Sequence, residues 1–340
     1  MTALNAALLG LDNPHSLAHL RTLQSLPEIE QIYVWDRSAD TLAEVQAKQP
    51  AKIADASTNL DAILGREDVL FAIEATRNDL APDLCLKALA AGKHVMAEKP
   101  IGPSTAEVQR VVDAANQAGL VLGVCYQNRR NPVVRQMRAV VQEGILGELM
   151  SVEMRMLTTA VRFRNPQHWL FDSAKSGGGM LSWLGCHYLD IMRFVTGDEI
   201  VSVSAEIATR SGEDIDVEDV ATLIVRFASG AVGSLHVGYT LALSGSGYHN
   251  KSGYDTYAGF NGGSGRMYWR APGAPTSLFV ETVHDDWRDA PTREFTYTLG
   301  ETPAYGGAAG EEFMRFHPRR ARIGATARQP ASTPCKWRAS

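Results

Sequence analysis

The first 125 residues alternate short apolar segments with segments of helical periodicity. The apolar segments, which we interpret as strands, are 4–9, 31–35, 69–73, 94–97 and 120–125. The clearest helix begins at Ser104, whose spacing to Glu107 is that of a capping box, and ends before Gly119. Strands that alternate with helices predict an α/β domain with a parallel sheet covered on both faces.

After residue 125 the pattern changes, because strand-like segments follow one another with few helices between them. Helices are predicted over 132–144 and 179–196. The predicted strands are 150–157, 200–207, 220–227, 231–239, 267–270, 278–282 and 294–298. This order predicts an α+β domain with a large open, mostly antiparallel sheet. Seven glycines within 245–265 predict a flexible loop of the kind that forms a lid or a binding loop.

The chain carries 33 basic against 38 acidic side chains and a pI near 6.0, which argues against a general nucleic-acid binder. Seven basic residues and no acidic residue follow Glu312, so residues 1–312 hold 26 basic against 38 acidic side chains. We therefore divide the chain into 1–125, 126–312 and an atypical basic tail, 313–340. A solvated, disordered terminus, a basic arm and a frame-shifted end all remain open for the tail.

Composition predicts a cytoplasmic protein without a membrane partner. Hydrophobic residues make up 45% of the chain, but no uninterrupted apolar run is long enough to cross a bilayer. The N-terminus lacks the basic region and the cleavage site of a signal peptide. The cysteines contain no CxxC pair and suit buried thiols better than disulfides or a zinc site; they are Cys85, Cys125, Cys186 and Cys335. We expect no metal.

A dinucleotide-binding turn is expected where the first strand ends. The residues of this turn are Gly10, Leu11, Asp12 and Asn13. A glycine here lets the N–H groups of the following helix face a pyrophosphate, although only one glycine of the usual GxGxxG triplet is present. Asn and Asp tolerate left-handed backbone conformations, so such a turn is feasible, and an ordinary strand-to-helix turn is the alternative.

Asp36, at the end of the second predicted strand, strengthens the case for a dinucleotide. A carboxylate at this place accepts the ribose hydroxyls of the adenosine half and repels a 2′-phosphate, which favours NAD over NADP. The neighbouring Arg37 can stack on adenine or pair with that phosphate, so NADP stays open. The alternative role for Asp36 is that of a charge at a helix N-terminus.

The tripeptide Glu98-Lys99-Pro100 directly follows the strand predicted at 94–97. It therefore lies at the carboxyl end of the sheet, where α/β folds bind ligands. Lys99 can hydrogen-bond a substrate hydroxyl there and stabilise the alkoxide that develops during hydride transfer. The proline restricts the backbone and allows a cis bond. Without further context, a surface lysine is the alternative.

Two longer segments carry a resemblance to a known family. Residues 91–100 read AGKHVMAEKP, and residues 176–190 read SGGGMLSWLGCHYLD. Together they resemble the glucose-fructose oxidoreductase / inositol dehydrogenase / rhizopine catabolism (Gfo/Idh/MocA) family, over residues 4 to about 312. Smaller matching pieces are 129–132, 144–148, 217–219 and 227–230. The resemblance implies a Rossmann dinucleotide-binding domain that binds NAD or NADP, and a dehydrogenase of sugars, cyclitols or related polyhydroxy compounds.

The same resemblance places the family's catalytic lysine at Lys99 and its catalytic histidine at His187. Trp183, His187 and Asp190 are spaced i, i+4 and i+7, so they share one helix face. An imidazole suits proton transfer near neutral pH, and the alternative is a hydrogen-bonded core histidine. Asp190 is expected to orient a partner near this helix. Trp183 replaces the family's usual aspartate, so either Lys99 and His187 suffice or the indole offers an aromatic wall to a sugar.

Further candidates come from positions around these motifs. The remaining candidate cofactor contacts are Thr76, Arg77, Asn78, Glu98, Lys99 and Gln127. We expect Arg77 to reach the cofactor phosphates. The candidate substrate contacts are Tyr126, Arg129, Arg162, Trp169, Trp183, His187, Asp190, Tyr248 and His249.

Members of this family often self-associate through the open sheet of the second domain. The resemblance therefore implies a homodimer or a homotetramer. The competing interpretation is a regulatory or non-catalytic homologue that binds the cofactor without turnover. It is suggested by Trp183 and by the degenerate glycine turn.

Overall fold

Two units make up the computed structural model, which describes residues 4–242, 253–271 and 275–315. The first unit contains residues 4–125 and 301–315, and the second contains the described residues between 126 and 300. None of the helices in these ranges is both long and apolar enough to cross a membrane.

The first unit is built on a six-stranded sheet with the order β3-β2-β1-β4-β5-β6, in which all pairs are parallel. Its strands are β1 Leu4–Leu9, β2 Ile29–Trp35, β3 Ile53–Ser57, β4 Val69–Glu74, β5 His94–Ala97 and β6 Leu122–Val124. Its helices are α1 Ser16–Ser25, α2 Ala39–Lys48, α3 Leu60–Leu64, α4 Ala81–Ala90 and α5 Thr105–Ala118. The predicted doubly wound α/β fold is therefore confirmed.

Apolar packing on both faces explains why the strands of this sheet read as continuous apolar runs. In β1, Ala6 and Leu8 belong to one buried cluster, while Ala7 and Leu9 belong to the cluster on the other side. The capping box is also present, since the Ser104 hydroxyl accepts the Glu107 N–H and bonds the Glu107 carboxylate at 2.8 Å.

The second unit contains an eight-stranded sheet with the order β14-β13-β12-β11-β7-β10-β9-β8. Every pair is antiparallel except β7 with β10, as predicted for a mostly antiparallel sheet. The strands are β7 Leu149–Thr159, β8 Ile200–Ala208, β9 Val220–Phe227, β10 Val232–Leu241, β11 Tyr254–Gly262, β12 Gly265–Ala271, β13 Ser277–Thr282 and β14 Thr292–Thr296. The helices are α6 Pro132–Gln142, α7 Ser173–Ser176 and α8 Cys186–Thr196.

The prediction of a flexible loop over 245–265 is wrong for its described part. Strand β11 occupies most of it and lies inside the sheet, between β7 and β12. Thr256, Ala258 and Phe260 are buried at alternate positions, which is the period of a strand with one covered face. The glycines concealed this alternation in the sequence. Residues 243–252, which include the candidates Tyr248 and His249, lie outside the described residues.

The chain returns to the first unit at Glu301, whereas the sequence placed 301–312 in the second domain and began a tail at 313. A helix, α9, covers 307–315, and its Phe313 and Met314 are buried in the apolar cluster that contains Leu20 and Leu23 of α1. This apolar contact is the reason for the return. The basic composition that follows had concealed the helix, and residues 316–340 lie outside the described residues.

Candidate active site

The turn after β1 requires a glycine at its first position. Gly10 has a φ of 97°, and a Cβ atom at this residue would lie 2.0 Å from Cγ2 of Thr76. The chain can therefore pass this close to the end of β4 only without a side chain. Helix α1, which follows, has no acidic residue in its first turn and no side-chain cap. Its N-terminus therefore suits an anion such as a pyrophosphate.

Asp36 lies beside this turn, at the end of β2, and is only 5% exposed. Its Oδ2 accepts the N–H of Leu11 at 2.7 Å and its Oδ1 accepts the N–H of Ser38 at 2.8 Å. Each carboxylate oxygen retains a further lone pair that can accept a hydroxyl. Arg37 instead contacts Asp12, to which its guanidinium donates at 2.9 Å and 3.0 Å. The residues of this edge thus fit a dinucleotide.

The end of β4 holds a buried carboxyl group. Oε1 of Glu74 accepts the N–H and the hydroxyl of Thr76, at 2.6 Å and 2.5 Å. Burial raises the pKa of Glu74 to about 8. Beyond it, Asn78 is buried, and Arg77 donates to the Asp79 carboxylate at 3.1 Å and 2.9 Å. The guanidinium expected to reach the cofactor phosphates is thus paired with a neighbouring aspartate.

Lys99 is completely buried at the end of β5, and its bond to Pro100 is cis. Its N–H donates to Oε2 of Glu98 at 3.1 Å. The Glu98 carboxylate also lies 2.5 Å from Nε2 of His19, through Oε1, and 3.3 Å from Nδ1 of His15, through Oε2. Burial alone would raise the pKa of Glu98, but its interactions with His15 and His19 outweigh burial and hold that pKa well below its usual value.

Sequence reasoning missed His15, His19 and Tyr305 as parts of this cluster. The Tyr305 hydroxyl lies 3.2 Å from Nε2 of His15, and the two rings stack with centroids 4.4 Å apart. His15 and His19 are spaced i, i+4 at the start of α1, and this spacing was a signal that could have found both histidines. No local signal could have found Tyr305, because it comes from the returning segment.

Cys125 completes the surroundings of Glu98. Ligand atoms of His19, Glu98 and Cys125 lie within 4.8 Å of one another, and all three residues are buried. Histidine, carboxylate and thiolate are ligands that zinc accepts. In this cluster, however, His19 and Glu98 hydrogen-bond each other directly.

In the second unit, α8 carries the predicted histidine. His187 is 6% exposed, and its ring meets the ring of Tyr126 edge-to-face with centroids 5.7 Å apart. One turn further along, Asp190 accepts from Nε of Arg129 at 2.9 Å and 3.1 Å and from Nη2 at 2.5 Å. Burial raises the pKa of Asp190 in spite of this guanidinium. Arg129, predicted as a substrate contact, is thus paired with Asp190 of α8.

The helix face predicted for Trp183, His187 and Asp190 is only partly present. Residues Leu181–Gly185 form a π-helical turn, so Trp183 precedes α8 in a segment of different period. The Trp183 ring is buried and meets the Trp169 ring edge-to-face, with centroids 6.2 Å apart. Trp169 and Trp183, both predicted substrate contacts, thus form an edge-to-face aromatic pair.

The close approach of Glu218 requires a glycine at position 179, just before this turn. A Cβ atom at Gly179 would lie 1.9 Å from the carbonyl oxygen of Glu218. The Glu218 carboxylate accepts the N–H groups of Gly179 and Leu181 at 2.7 Å and 2.9 Å, so it caps the segment that leads to His187. The sequence had assigned no role to Glu218.

The remaining candidates of the second unit lie in short turns. Gln127 begins the 3-10 turn Gln127–Arg130. Arg162 lies in the turn Val161–Phe163, with its guanidinium 4.7 Å from the centroid of the Phe163 ring.

Comparisons with known proteins identify the family. Residues 4–126 match the model of the oxidoreductase family with an NAD-binding Rossmann fold, and residues 134–248 match the C-terminal domain of Gfo/Idh/MocA proteins. The chain belongs to the Gfo/Idh/MocA oxidoreductase family. The expected family, enzyme class and NAD-binding Rossmann domain are thereby confirmed.

The similar proteins include enzymes that are named for sugars or their derivatives. The chain is 26% identical over 271 residues to levoglucosan dehydrogenase from Pseudarthrobacter phenanthrenivorans, covering 69% of this chain and 67% of that one. It is 29% identical over 196 residues to 1,5-anhydro-D-fructose reductase from Ensifer adhaerens, covering 58% of each chain. A solved structure of levoglucosan dehydrogenase with NADH and levoglucosan has the same fold, with a TM-score of 0.79, 22% identity, and coverage of 97% of this chain and 92% of that one.

Proposed function

We propose that this oxidoreductase is an NAD-dependent dehydrogenase or reductase of a sugar, cyclitol or related polyhydroxy compound, with Lys99 and His187 as its acid/base residues. The observation that carries the proposal is the placement of Lys99. It is a completely buried lysine at the carboxyl end of β5, in an NAD-binding domain, with its backbone N–H bonded to a buried carboxylate.

Lys99 holds the hydroxyl oxygen of the substrate and stabilises its negative charge as the C–H bond breaks. A buried ammonium does this more effectively than an exposed one, because less water competes for the same oxygen. The nicotinamide, when bound, supplies the hydride acceptor or donor. Gly10, Asp36 and the N-terminus of α1 would hold its dinucleotide.

His187 exchanges the proton of the substrate hydroxyl. A buried imidazole near neutral pH can take or return a proton without a strong base. Its orientation is supported from two sides, since Tyr126 packs against its ring and the Arg129–Asp190 pair fixes the next turn of α8. Trp169 and Trp183 provide an apolar surface on which the C–H face of a sugar can pack.

NAD is the cofactor that Asp36 favours, because its buried carboxylate would repel the 2′-phosphate of NADP. Arg37 offers that phosphate little compensation while it is paired with Asp12. Titrating NADH and NADPH separately against tryptophan fluorescence tests this preference. Tighter binding of NADPH would contradict it.

A substrate screen tests the proposed reaction. The purified protein is incubated with NAD and each of a panel that includes levoglucosan, D-glucose, D-xylose and myo-inositol, and reduced nicotinamide is followed by its absorbance. Reduction with at least one polyhydroxy compound is the expected result. Tight NADH binding without turnover on the whole panel, in either direction, would instead favour a cofactor-binding regulatory homologue.

Self-association through the open sheet is part of the proposal. The face of the second sheet away from its core carries a stacked row of Tyr257, Tyr268 and Phe279, and Ile224 on the same face is 58% exposed. Light scattering should give the mass of a homodimer or homotetramer, and a monomer at micromolar concentration would contradict this. The buried free thiols Cys85 and Cys125 support a reducing, cytoplasmic location.

A further inference from the structure

The segment that returns from the second unit makes polar contacts as well as apolar ones. The Tyr305 N–H donates to the Thr22 hydroxyl in α1 at 2.8 Å. The Tyr305 hydroxyl reaches Nε2 of His15 at 3.2 Å, and its ring stacks on His15 and meets His19 edge-to-face at 5.0 Å. One tyrosine thus contacts both histidines that surround Glu98.

The proton positions in this contact follow from chemistry. Burial lowers the pKa of His15, so its imidazole is neutral near pH 7 and carries one N–H. Nδ1 lies 3.3 Å from Oε2 of the Glu98 carboxylate, outside hydrogen-bond geometry. A carboxylate attracts an N–H and repels a lone pair, so this contact favours the proton on Nδ1. Nε2 is then an acceptor, and the Tyr305 hydroxyl donates to it. The hydroxyl selects the tautomer of His15 that can serve Glu98.

The series of contacts continues to Lys99. Oε2 of Glu98 is the atom that faces His15, and the same oxygen accepts the backbone N–H of Lys99. The carboxylate is only 2% exposed, so there is little water to replace a lost partner. The orientation of Glu98 is thereby coupled to Tyr305 through one imidazole.

We propose that Tyr305 and His15 are positioning residues for Lys99, acting through Glu98, so that the returning segment holds the catalytic lysine in place. The inference rests on the proposed function, because it takes Lys99 as the residue that needs positioning. The segment after residue 300 would then support the reaction through the polar contacts of Tyr305, in addition to its apolar contacts.

Tyr305→Phe is the most direct variant, since it keeps the ring stack and removes only the hydroxyl. The matched control is Tyr33→Phe, because the Tyr33 hydroxyl in β2 bonds Gln31 at 2.7 Å in the same unit. Both variants are measured first without cofactor, by hydrogen–deuterium exchange of the peptide that contains Lys99. Exchange at the Lys99 amide should be about 3- to 10-fold faster in Tyr305→Phe and unchanged in Tyr33→Phe.

Kinetics and a double variant separate positioning from a general loss of structure. For the panel compound with the highest turnover, kcat of Tyr305→Phe should fall by about 3- to 10-fold, while its KM and the Kd of NADH stay unchanged. His15→Asn, which can still donate to Glu98 but does not extend to Tyr305, should show the same loss. Adding Tyr305→Phe to it should cost nothing further, because both act through one contact.

The outcomes distinguish this inference from the function on which it rests. Unchanged exchange and unchanged kcat in Tyr305→Phe, together with an inactive Lys99→Met variant, would overturn the inference alone. Losses that simply add in the His15→Asn/Tyr305→Phe double variant would also overturn it. Full turnover by Lys99→Met would overturn the proposed function, and the inference with it.

Discussion

Glu74 and Glu98 end neighbouring parallel strands of one sheet, and both are buried, yet they differ in charge. The N–H of Glu98 donates to the carbonyl oxygen of Glu74 at 3.0 Å, so the two residues are also direct neighbours. Burial raises the pKa of Glu74 to about 8, so this carboxyl is mostly protonated at pH 7. His15 and His19 hold the pKa of Glu98 well below its usual value, so that carboxylate is ionised.

The difference shows that the partners of a carboxylate, rather than its depth, set its charge here. Thr76 gives Glu74 an N–H and a hydroxyl, which are neutral donors. Glu98 lies between two imidazoles, and it is the carboxylate next to Lys99. The two histidines thus lie at the strand end that carries the candidate catalytic residue.

Glu98→Gln should lower kcat by about 100-fold, because loss of the charged acceptor releases both histidines and displaces Lys99. It should also lower the free energy of unfolding by about 2 to 4 kcal/mol at pH 7. The folded-state pKa lies below the ordinary 4.5, so the stabilisation is present above pH 4.5 and is lost as the pH falls through the folded-state value. Urea unfolding at pH 7 and pH 4 checks this, and an equal cost at both would contradict it.

Glu74→Gln should behave in the opposite way. The folded-state pKa of about 8 lies above the ordinary 4.5, so wild-type stability is greatest below pH 4.5 and falls as the pH rises to 8. The neutral amide removes this fall. Relative to the wild type, the variant should gain up to about 1.4 kcal/mol per pH unit between pH 5 and pH 8. Urea unfolding at three pH values measures it, and a constant difference would show that Glu74 is ionised.

Arg129→Met extends the comparison to Asp190, a buried carboxylate of the second unit that is hydrogen-bonded to the Arg129 guanidinium. Arg129 is 40% exposed, so solvent weakens the pair, and its loss should cost only about 1 to 2 kcal/mol of unfolding free energy at pH 7. The pKa of Asp190 already lies above its usual value and should rise further without the guanidinium. The cost should therefore be smaller at pH 5 than at pH 8, and the reverse order would contradict this.

Much of the candidate site could be proposed from the sequence because its signals are local. Asp36 and Lys99 are polar residues at the ends of apolar strands, and His187 lies on a helix with a matched motif. Two elements could not be predicted from the sequence. The π-helical turn at Trp183 was missed because an α-helical period was assumed, and strand β11 was missed because of its glycines.

The partners of Glu98 could not be predicted in the same way. They depend on a helix near the start of the chain and on a tyrosine beyond residue 300, which only the folded first unit brings together. The sequence does not indicate whether the partners of a carboxylate will be neutral donors, as for Glu74, or imidazoles, as for Glu98. Charge state at a strand end is therefore a property of tertiary packing.

The most direct test compares Lys99→Met with Lys93→Met on the best compound of the sugar panel. Lys93 precedes β5 at its opposite end and is also buried, with Nζ bonded to the Arg66 carbonyl oxygen at 2.6 Å. Lys99→Met should lower kcat by about 100- to 10,000-fold while its fluorescence titration with NADH stays that of the wild type, and Lys93→Met should keep its turnover. Wild-type turnover by Lys99→Met would contradict the proposed catalytic role.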